Sequence, residues 1–448
     1  MAKTLNTFGN RNSRLYRLYS FYLILLALSP DAVYNIKKYT ILYLSGGYMD
    51  TVSQALLTLL GRALFSVDSG DLLEDTDWAA LYRESRAQTV HLLVYDCLHQ
   101  SEHAAMPLEV EAQWKQSALM TLWNNEQVQK EQAVVLDTLR KAAIPCVLLK
   151  GSSSAMCYPK PELRCAGDID LLVSKETLNR AEQLLEGLGY VPPEEEHHCH
   201  ISMHRGRMVT ELHFEPNGIP DGPIGQDIRM FFKGAELSPT FQNNLPILSP
   251  CQCALVLLLH KLQHIIGSGL GLRQLCDWAV FVKANLSPEL WAELQPILCQ
   301  FGLLRFTEIV TLTCVTYLSL PADCAPWCLN ANRSACKELI EDLFRCGNFG
   351  KKENRYGQRL FTDISSYNRL LSFWNVGLSA CRQHWPICER CPVLLPIAPF
   401  VLLARYVKQR SSGQRPKLQL FKVYQYAGPR QKLYQELAPF QNEASFRN

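Results

Sequence analysis

The sequence predicts an α+β protein in which a small mixed β-sheet lies between two helical regions. Three observations predict this class. Apolar residues recur at helical spacing over residues 50–142. Short apolar runs separated by turn signals, which are typical of strands, follow within residues 143–248. Helical periodicity then returns from Ser249 onward.

The first helical region is predicted to contain three helices. The first begins after Met49, where leucines recur at helical spacing. Asp77 is a candidate N-cap for the second helix, because its side chain can accept from free backbone N–H groups. The third runs from about Glu109 to Ala142, and Pro145 ends the helical pattern.

The central segment is predicted to form strands with a helix between them. Four apolar runs are strand candidates: residues 146–149, 169–173, 198–203 and 208–214. Residues 175–188 have the pattern of an amphipathic helix. The domains that we expect are an extension at 1–48, a helical region at 49–142, the α/β core at 143–248, a helical domain at 249–400 and a basic tail at 401–448.

The N-terminal extension contains arginines followed by the apolar run Phe21 to Leu28. This order resembles a signal peptide, but no small-residue cleavage site follows. The run is also shorter than the roughly 20 residues that a spanning helix needs. We expect residues 1–48 to be dispensable or disordered.

Composition narrows the class of protein. The chain has 448 residues, of which 48% are apolar and 19% charged, which is ordinary for globular proteins. A net charge of +3 and the lack of a nucleic-acid-reading motif argue against long nucleic acid as a substrate. The basic stretch from Arg405 to Lys432 is interpreted as a solvated tail, and peripheral membrane contact is not favoured.

The 17 cysteines are scattered and often stand within apolar runs. Such a pattern favours buried free thiols over a disulfide framework. Free thiols persist in a reducing compartment, so we expect the protein in the cytoplasm.

Two acids stand on the second predicted strand. Side chains alternate across a strand, so Asp168 and Asp170 share one face while Ile169, Leu171 and Val173 face the core. Two neighbouring carboxylates repel each other unless a cation lies between them. Their oxygens are suited to Mg²⁺ or Mn²⁺.

A glycine and a serine follow the first predicted strand. Gly151 allows close approach of the backbone, and Ser152 can open a helix whose N–H groups attract phosphate. Lys150 adds a positive charge beside them.

Glu211 stands on the last predicted strand, on the face opposite the apolar side chains. If that strand lies beside the strand of Asp168 and Asp170, three carboxylates meet at one place. Three carboxylates that hold two cations around a triphosphate are what phosphoryl-type transfer requires. The alternative is a surface strand with solvated acids, which the regular order of the motifs disfavours.

These motifs together resemble a known family. Leu148 to Gly151, Tyr158-Pro159, Arg164, Gly167 to Val173 and Glu211 to His213 resemble the uncharacterised nucleotidyltransferase family of bacteria, within the DNA-polymerase-β-like superfamily. The resemblance implies a minimal nucleotidyltransferase core flanked by helical regions. It covers residues 146–214 and extends more weakly to the helices on either side.

The resemblance also implies roles for individual residues. The residues implied to bind metal and to catalyse are Asp168, Asp170 and Glu211. The residues implied to contact the nucleotide are Lys150, Gly151, Ser152, Arg164 and His213. Lys150 departs from the superfamily's usual pattern at the position before the small pair, which leaves its role open.

The activity expected is transfer of a nucleoside monophosphate, from a nucleoside triphosphate such as ATP, to an acceptor with release of pyrophosphate. The acceptor is a small molecule, a saccharide or a protein, and an intermediate of a polysaccharide or natural-product pathway is one such candidate. Two alternatives remain open: a catalytically inactive nucleotide sensor, and an accessory scaffold of a biosynthetic pathway.

Further histidines and cysteines lie outside this set. For His197, His198, Cys199, His200 and His204, a polar hairpin face is favoured, a nucleotide or acceptor contact comes second, and zinc third. The set His260, His264, Arg273 and Asp277 fits core hydrogen bonding or substrate contact. Cys388 and Cys391 are interpreted as a chance pair.

Overall fold

A computed structural model describes residues 49–72, 76–192, 199–266, 269–348 and 432–441 of the chain. Within these residues a six-stranded mixed sheet is flanked by helices, which confirms the predicted α+β class. Predictions for residues 1–48, for Cys388 and Cys391, and for most of the basic tail lie outside the described residues.

Helices fill the region before the sheet. They are α1 Thr51–Phe65, α2 Trp78–Ala87, α3 His91–Asp96, α4 Gln100–Ala105 and α5 Leu108–Lys141. Asp77 caps α2 as expected, since its Oδ1 accepts from the backbone N–H of Ala80 at 2.8 Å. The prediction of one helix after Asp77 is wrong, because the described residues form two helices there, α2 and α3. Thr89 has a φ of 56° and separates α2 from α3.

The strands are β1 Cys146–Leu148, β2 Ile169–Val173, β3 His200–Arg205, β4 Met208–His213, β5 Thr240–Gln242 and β6 Leu245–Ile247. Their order in the sheet is β3-β4-β2-β1-β6-β5. Strand β2 pairs in parallel with β4 and antiparallel with β1. The helices among them are α6 Ser152–Ala155, α7 Lys175–Gly187 and α8 Pro223–Phe232. Strands β5 and β6 were not predicted, because three residues are too few to show alternation.

The apolar face of β2 lies in the core, as its alternation predicts. Ile169, Leu171 and Val173 belong to one buried cluster, together with Val135 and Leu139 of α5. The long helix α5 therefore covers one face of the sheet, and burial of these side chains holds the acid-bearing strand in place.

The second helical region follows β6. Its helices are α9 Pro250–Ile266, α10 Leu272–Asn285, α11 Pro288–Gln300, α12 Leu304–Tyr317 and α13 Arg333–Cys346. Across the described part of the chain, no helix combines the length and apolar character that crossing a bilayer would require.

Candidate active site

The pairing of three strands brings the predicted acids together. Asp170 on β2 is the register partner of Glu211 on β4. Because parallel partners lie about 4.8 Å apart, their side chains project side by side. On the other side of β2, the N–H of Leu149 donates to the carbonyl of Asp170 at 3.1 Å, so that Lys150 follows β1 directly beside the acids.

Lys150 lies on the acid pair. Its Nζ is 2.8 Å from Oδ1 of Asp170 and 3.8 Å from Oδ2 of Asp168. Asp170 is only 1% exposed, whereas the Asp168 side chain is 39% exposed at the rim. Burial opposes the charged forms, but the charge of Asp170 keeps the pKa of Lys150 above its usual value, and the ammonium lowers the pKa of Asp170.

His213 lies between the carboxylates of Asp170 and Glu211 and contacts both. Its Nε2 lies 3.1 Å from Oδ1 of Asp170 and 3.1 Å from Oε2 of Glu211. Burial lowers the pKa of His213, but these hydrogen bonds, together with one from Cys199, outweigh it and raise the pKa to about 10. Burial raises the pKa of Glu211, yet the His213 hydrogen bond and the Lys150 charge bring it to about 2.

The residues present fit a divalent cation. Oδ2 of Asp170 is buried and has no hydrogen-bond partner among the described residues. Three carboxylates here face two cationic side chains, so the site keeps a negative charge. Carboxylate oxygens are the ligands that Mg²⁺ and Mn²⁺ prefer. Asp170, Glu211 and His213 also offer three ligand atoms within 4.8 Å of one another.

The Gly-Ser pair borders the same site. Gly151 has a φ of 73°, and a Cβ placed there would stand 3.6 Å from the carbonyl oxygen of Asp168. The backbone at Gly151 therefore passes close to the acid pair. Ser152 opens the short helix α6, and its hydroxyl donates to Oε1 of Gln132 on α5 at 2.6 Å. The contacts of Gly151 and Ser152 with phosphate remain predictions.

Arg164, which was expected to contact the nucleotide, forms an ion pair with Asp277. Its Nε and Nη2 lie 2.7 and 2.9 Å from the two carboxylate oxygens of Asp277 on α10. Tyr158 donates to the same carboxylate at 2.7 Å, and all three side chains are buried. The arginine thus links the sheet region to the second helical region, and its contact with phosphate remains a prediction.

The interpretation of Cys199 and His200 as part of a polar hairpin face is wrong. They are 1% and 8% exposed. His200 is the register partner of His213, and its Nε2 lies 3.6 Å from Oε1 of Glu211. Ser202 donates to that oxygen at 3.4 Å. The short turn between the two strands was the available signal, since counting back from it sets His200 opposite His213.

A second histidine pair lies on α9. Nε2 of His260 and Nε2 of His264 are 3.1 Å apart. Burial lowers the pKa of both rings, and the charge of Lys150 lowers it further, to about 3 for His264. Burial therefore favours the uncharged form of both imidazoles, which lie within electrostatic reach of Lys150. Their contact with substrate remains a prediction.

Comparison with known proteins gives one match. A family model described as an uncharacterised nucleotidyltransferase matches residues 74–319. That range contains every strand described above. It also contains the acid site and the ion pair between Arg164 and Asp277. Neither the curated proteins nor the solved structures contain a significant match to the chain.

Proposed function

Since the chain belongs to the family of uncharacterised nucleotidyltransferases, we propose that it transfers a nucleoside monophosphate from a nucleoside triphosphate to an acceptor. The transfer releases pyrophosphate and depends on Mg²⁺ or Mn²⁺. ATP is the first triphosphate to test, because the sequence carries no signal of base preference.

The observation that carries this proposal is the register of Asp170 and Glu211 on β2 and β4, with Asp168 at the rim. Asp168 and Asp170 would hold both cations, and Glu211 the one nearer the acceptor. When bound, the cations would activate the attacking oxygen and stabilise charge on the leaving pyrophosphate.

The side chains around the acids have separate tasks in this proposal. Lys150 offsets negative charge on the phosphates, since its ammonium already lies between Asp168 and Asp170. The backbone at Gly151 leaves room for a phosphate beside Asp168, because no side chain projects there. His213 orients the carboxylates of Asp170 and Glu211 through its Nε2.

The acceptor is proposed to be a small molecule, a saccharide or a protein, and not long nucleic acid, because the net charge of +3 is small for a chain of this length. We propose a cytoplasmic location because no disulfide joins the cysteines of the described residues.

The experiment uses the full chain with each of the four nucleoside triphosphates, labelled on the α-phosphate and offered with Mg²⁺ or Mn²⁺. The proposal expects label on an acceptor or on the protein itself, and pyrophosphate in equal amount. Release of inorganic phosphate alone would assign the chain to hydrolysis instead. The γ-labelled triphosphate is the matched control, because its label must leave with the pyrophosphate.

A nucleotide sensor without turnover is the second candidate. The contact of Lys150 with Asp170 at 2.8 Å favours it, because an ammonium seated on the acid competes with a cation. Calorimetry separates the two candidates: a sensor binds the triphosphate and metal but produces no pyrophosphate over hours of incubation.

A further inference from the structure

A buried cluster of one thiol and two imidazoles lies next to the acid site. Cys199 precedes β3, His200 begins β3 and His213 ends β4. Their exposed fractions are 1%, 8% and 0%. One ligand atom from each lies within 4.8 Å of the other two. His200 and His213 are cross-strand partners whose ring centroids are 4.7 Å apart.

The two ring nitrogens of each histidine have different surroundings. Nε2 of His200 and Nε2 of His213 both face the carboxylate of Glu211, at 3.6 and 3.1 Å. Nδ1 of His200 is 3.4 Å from the sulfur of Cys199. Nδ1 of His213 is buried and has no oxygen or nitrogen partner within the described residues, and the Cys199 thiol is the group that interacts with the ring there.

A buried nitrogen that meets a thiol, which is a weak hydrogen-bond partner, is poorly satisfied, and this has an energetic cost. That cost disappears if Nδ1 of His213 donates its lone pair to a cation. Thiolate and imidazole are the ligands that zinc prefers. Histidines that bind metal also usually donate their other N–H to a carboxylate, which is the arrangement that Glu211 provides here.

We propose that Cys199, His200 and His213 bind a zinc-class divalent cation through Sγ and the two Nδ1 atoms. Zinc bond lengths in tetrahedral geometry separate a sulfur and a nitrogen ligand by about 3.5 Å, close to the 3.4 Å between Cys199 and His200. Oδ1 of Asn217, which accepts from the thiol at 2.6 Å, is the fourth donor in reach.

Binding forms three metal–ligand bonds and releases two protons, one from the thiol of Cys199 and one from Nδ1 of His213. Nε2–H of His213 stays in place and continues to donate to Asp170 and Glu211. The cation would tie the edge strand β3 to β4 and set the orientation of the Glu211 carboxylate. This site shares His213 with the acid site but uses Nδ1, the ring nitrogen that faces away from the carboxylates, and it does not depend on nucleotidyl transfer.

The first test is metal analysis of the full chain, purified without chelator. The proposal expects one equivalent of zinc per chain. Replacement by Co²⁺ should give a thiolate-to-cobalt absorption band and the intense visible bands of a tetrahedral site. Cys199→Ser should remove the thiolate band and weaken binding more than about tenfold, since even outer-shell changes cost about that much. Cys165→Ser, at a buried thiol elsewhere, is the matched control.

A wild-type protein without stoichiometric metal, or a Co²⁺ spectrum unchanged in Cys199→Ser, overturns the proposal. If Cys199→Ser does not fold, His200→Asn takes its place, with circular dichroism as the check on folding. Asp168→Asn should keep the cobalt spectrum, because its carboxylate belongs to the acid site. A lost spectrum in that variant would place the cation on the acids and contradict the inference.

Discussion

Asp170 and Glu211, which are 41 positions apart in the sequence, are register partners on the parallel strands β2 and β4, and one imidazole nitrogen of His213 lies 3.1 Å from an oxygen of each. The pairing places a buried acid, Asp170, beside a partly buried one, Glu211, in the sheet. Each remaining contact of the site, from Lys150 or His213, offsets part of their charge.

Replacement of Lys150 by methionine tests whether the ammonium assists transfer or blocks the metal site. If the ammonium assists transfer, its removal should lower kcat/KM for the triphosphate by about 100-fold, which is the effect of removing one stabilising donor from an active site. Mn²⁺ binding, followed by electron paramagnetic resonance, should persist or strengthen, because a competing cation has gone. Lys141→Met, at an exposed position on α5, is the control. Transfer that is absent in wild type and appears in Lys150→Met would support the sensor candidate instead.

Gly151→Ala tests the backbone at the proposed phosphate position. A φ of 73° is unfavourable for alanine, so the variant should lose about 1–3 kcal/mol of unfolding free energy and much of its transfer rate. Gly187→Ala provides the comparison, since a Cβ there meets no atom within 4 Å and the residue is helical. That variant should be neutral or slightly more stable. Equal urea midpoints for the two variants would contradict the account.

Asp277→Asn tests the link between the sheet region and the second helical region. The change leaves Arg164 buried beside a neutral partner, and removing one member of a buried ion pair destabilises proteins by about 3–5 kcal/mol. Asp137→Asn on α5, where the side chain is 39% exposed, should change stability by less than about 0.5 kcal/mol. Denaturant unfolding measures both. If Arg164→Lys folds normally but raises KM for the triphosphate, the result would support a contact between Arg164 and the phosphates.

The buried ion pair between Glu102 and Arg62 makes the free energy of unfolding depend on pH. Burial raises the pKa of Glu102, but the hydrogen bond from Arg62 at 2.6 Å and two backbone N–H groups bring the pKa below its usual value of 4.5. A lowered folded-state pKa contributes stability that is present above pH 4.5 and is lost as the pH falls through the folded value. Glu102→Gln should therefore be less stable than wild type at pH 7 by about 3 kcal/mol. The difference in unfolding free energy between wild type and Glu102→Gln should become smaller towards pH 3. Urea titrations that show the same difference at every pH would count against the pairing of Glu102 with Arg62.

Much of this fold is predictable from the sequence, because the spacing of apolar residues shows which side chains of a helix or strand are buried. The bounds of β2 were predicted correctly, since its apolar run is bounded by Asp168 and Ser174. The long helix α5 was predicted to within one residue at each end. The short strands β5 and β6 carry too few residues to show a period. The break at Thr89 depends on a local left-handed conformation that threonine rarely adopts.

The candidate site was predictable in its acids but not in its partners. The order of motifs predicted that Asp168, Asp170 and Glu211 would meet if the last strand lay beside the strand that follows Asp168, and the pairing of β2 with β4 meets this condition for Asp170 and Glu211. The pairing of Arg164 with Asp277 joins residues 113 positions apart, and no local pattern encodes it. The burial of Cys199 and His200 likewise depends on what packs over the hairpin, which a hydrophobic pattern in one strand does not reveal.

The most direct test of the central claim is label transfer by wild type and by Asp168→Asn, with α-labelled triphosphate and Mn²⁺. Asp168 is chosen because its 39% exposed side chain lets the variant keep its melting temperature. Wild type should release one pyrophosphate for each nucleotide transferred, and the variant should be slower by more than about 100-fold. Asp221→Asn, at an exposed position, should match wild type. Full transfer by Asp168→Asn in the same assay would contradict the assignment of the acids.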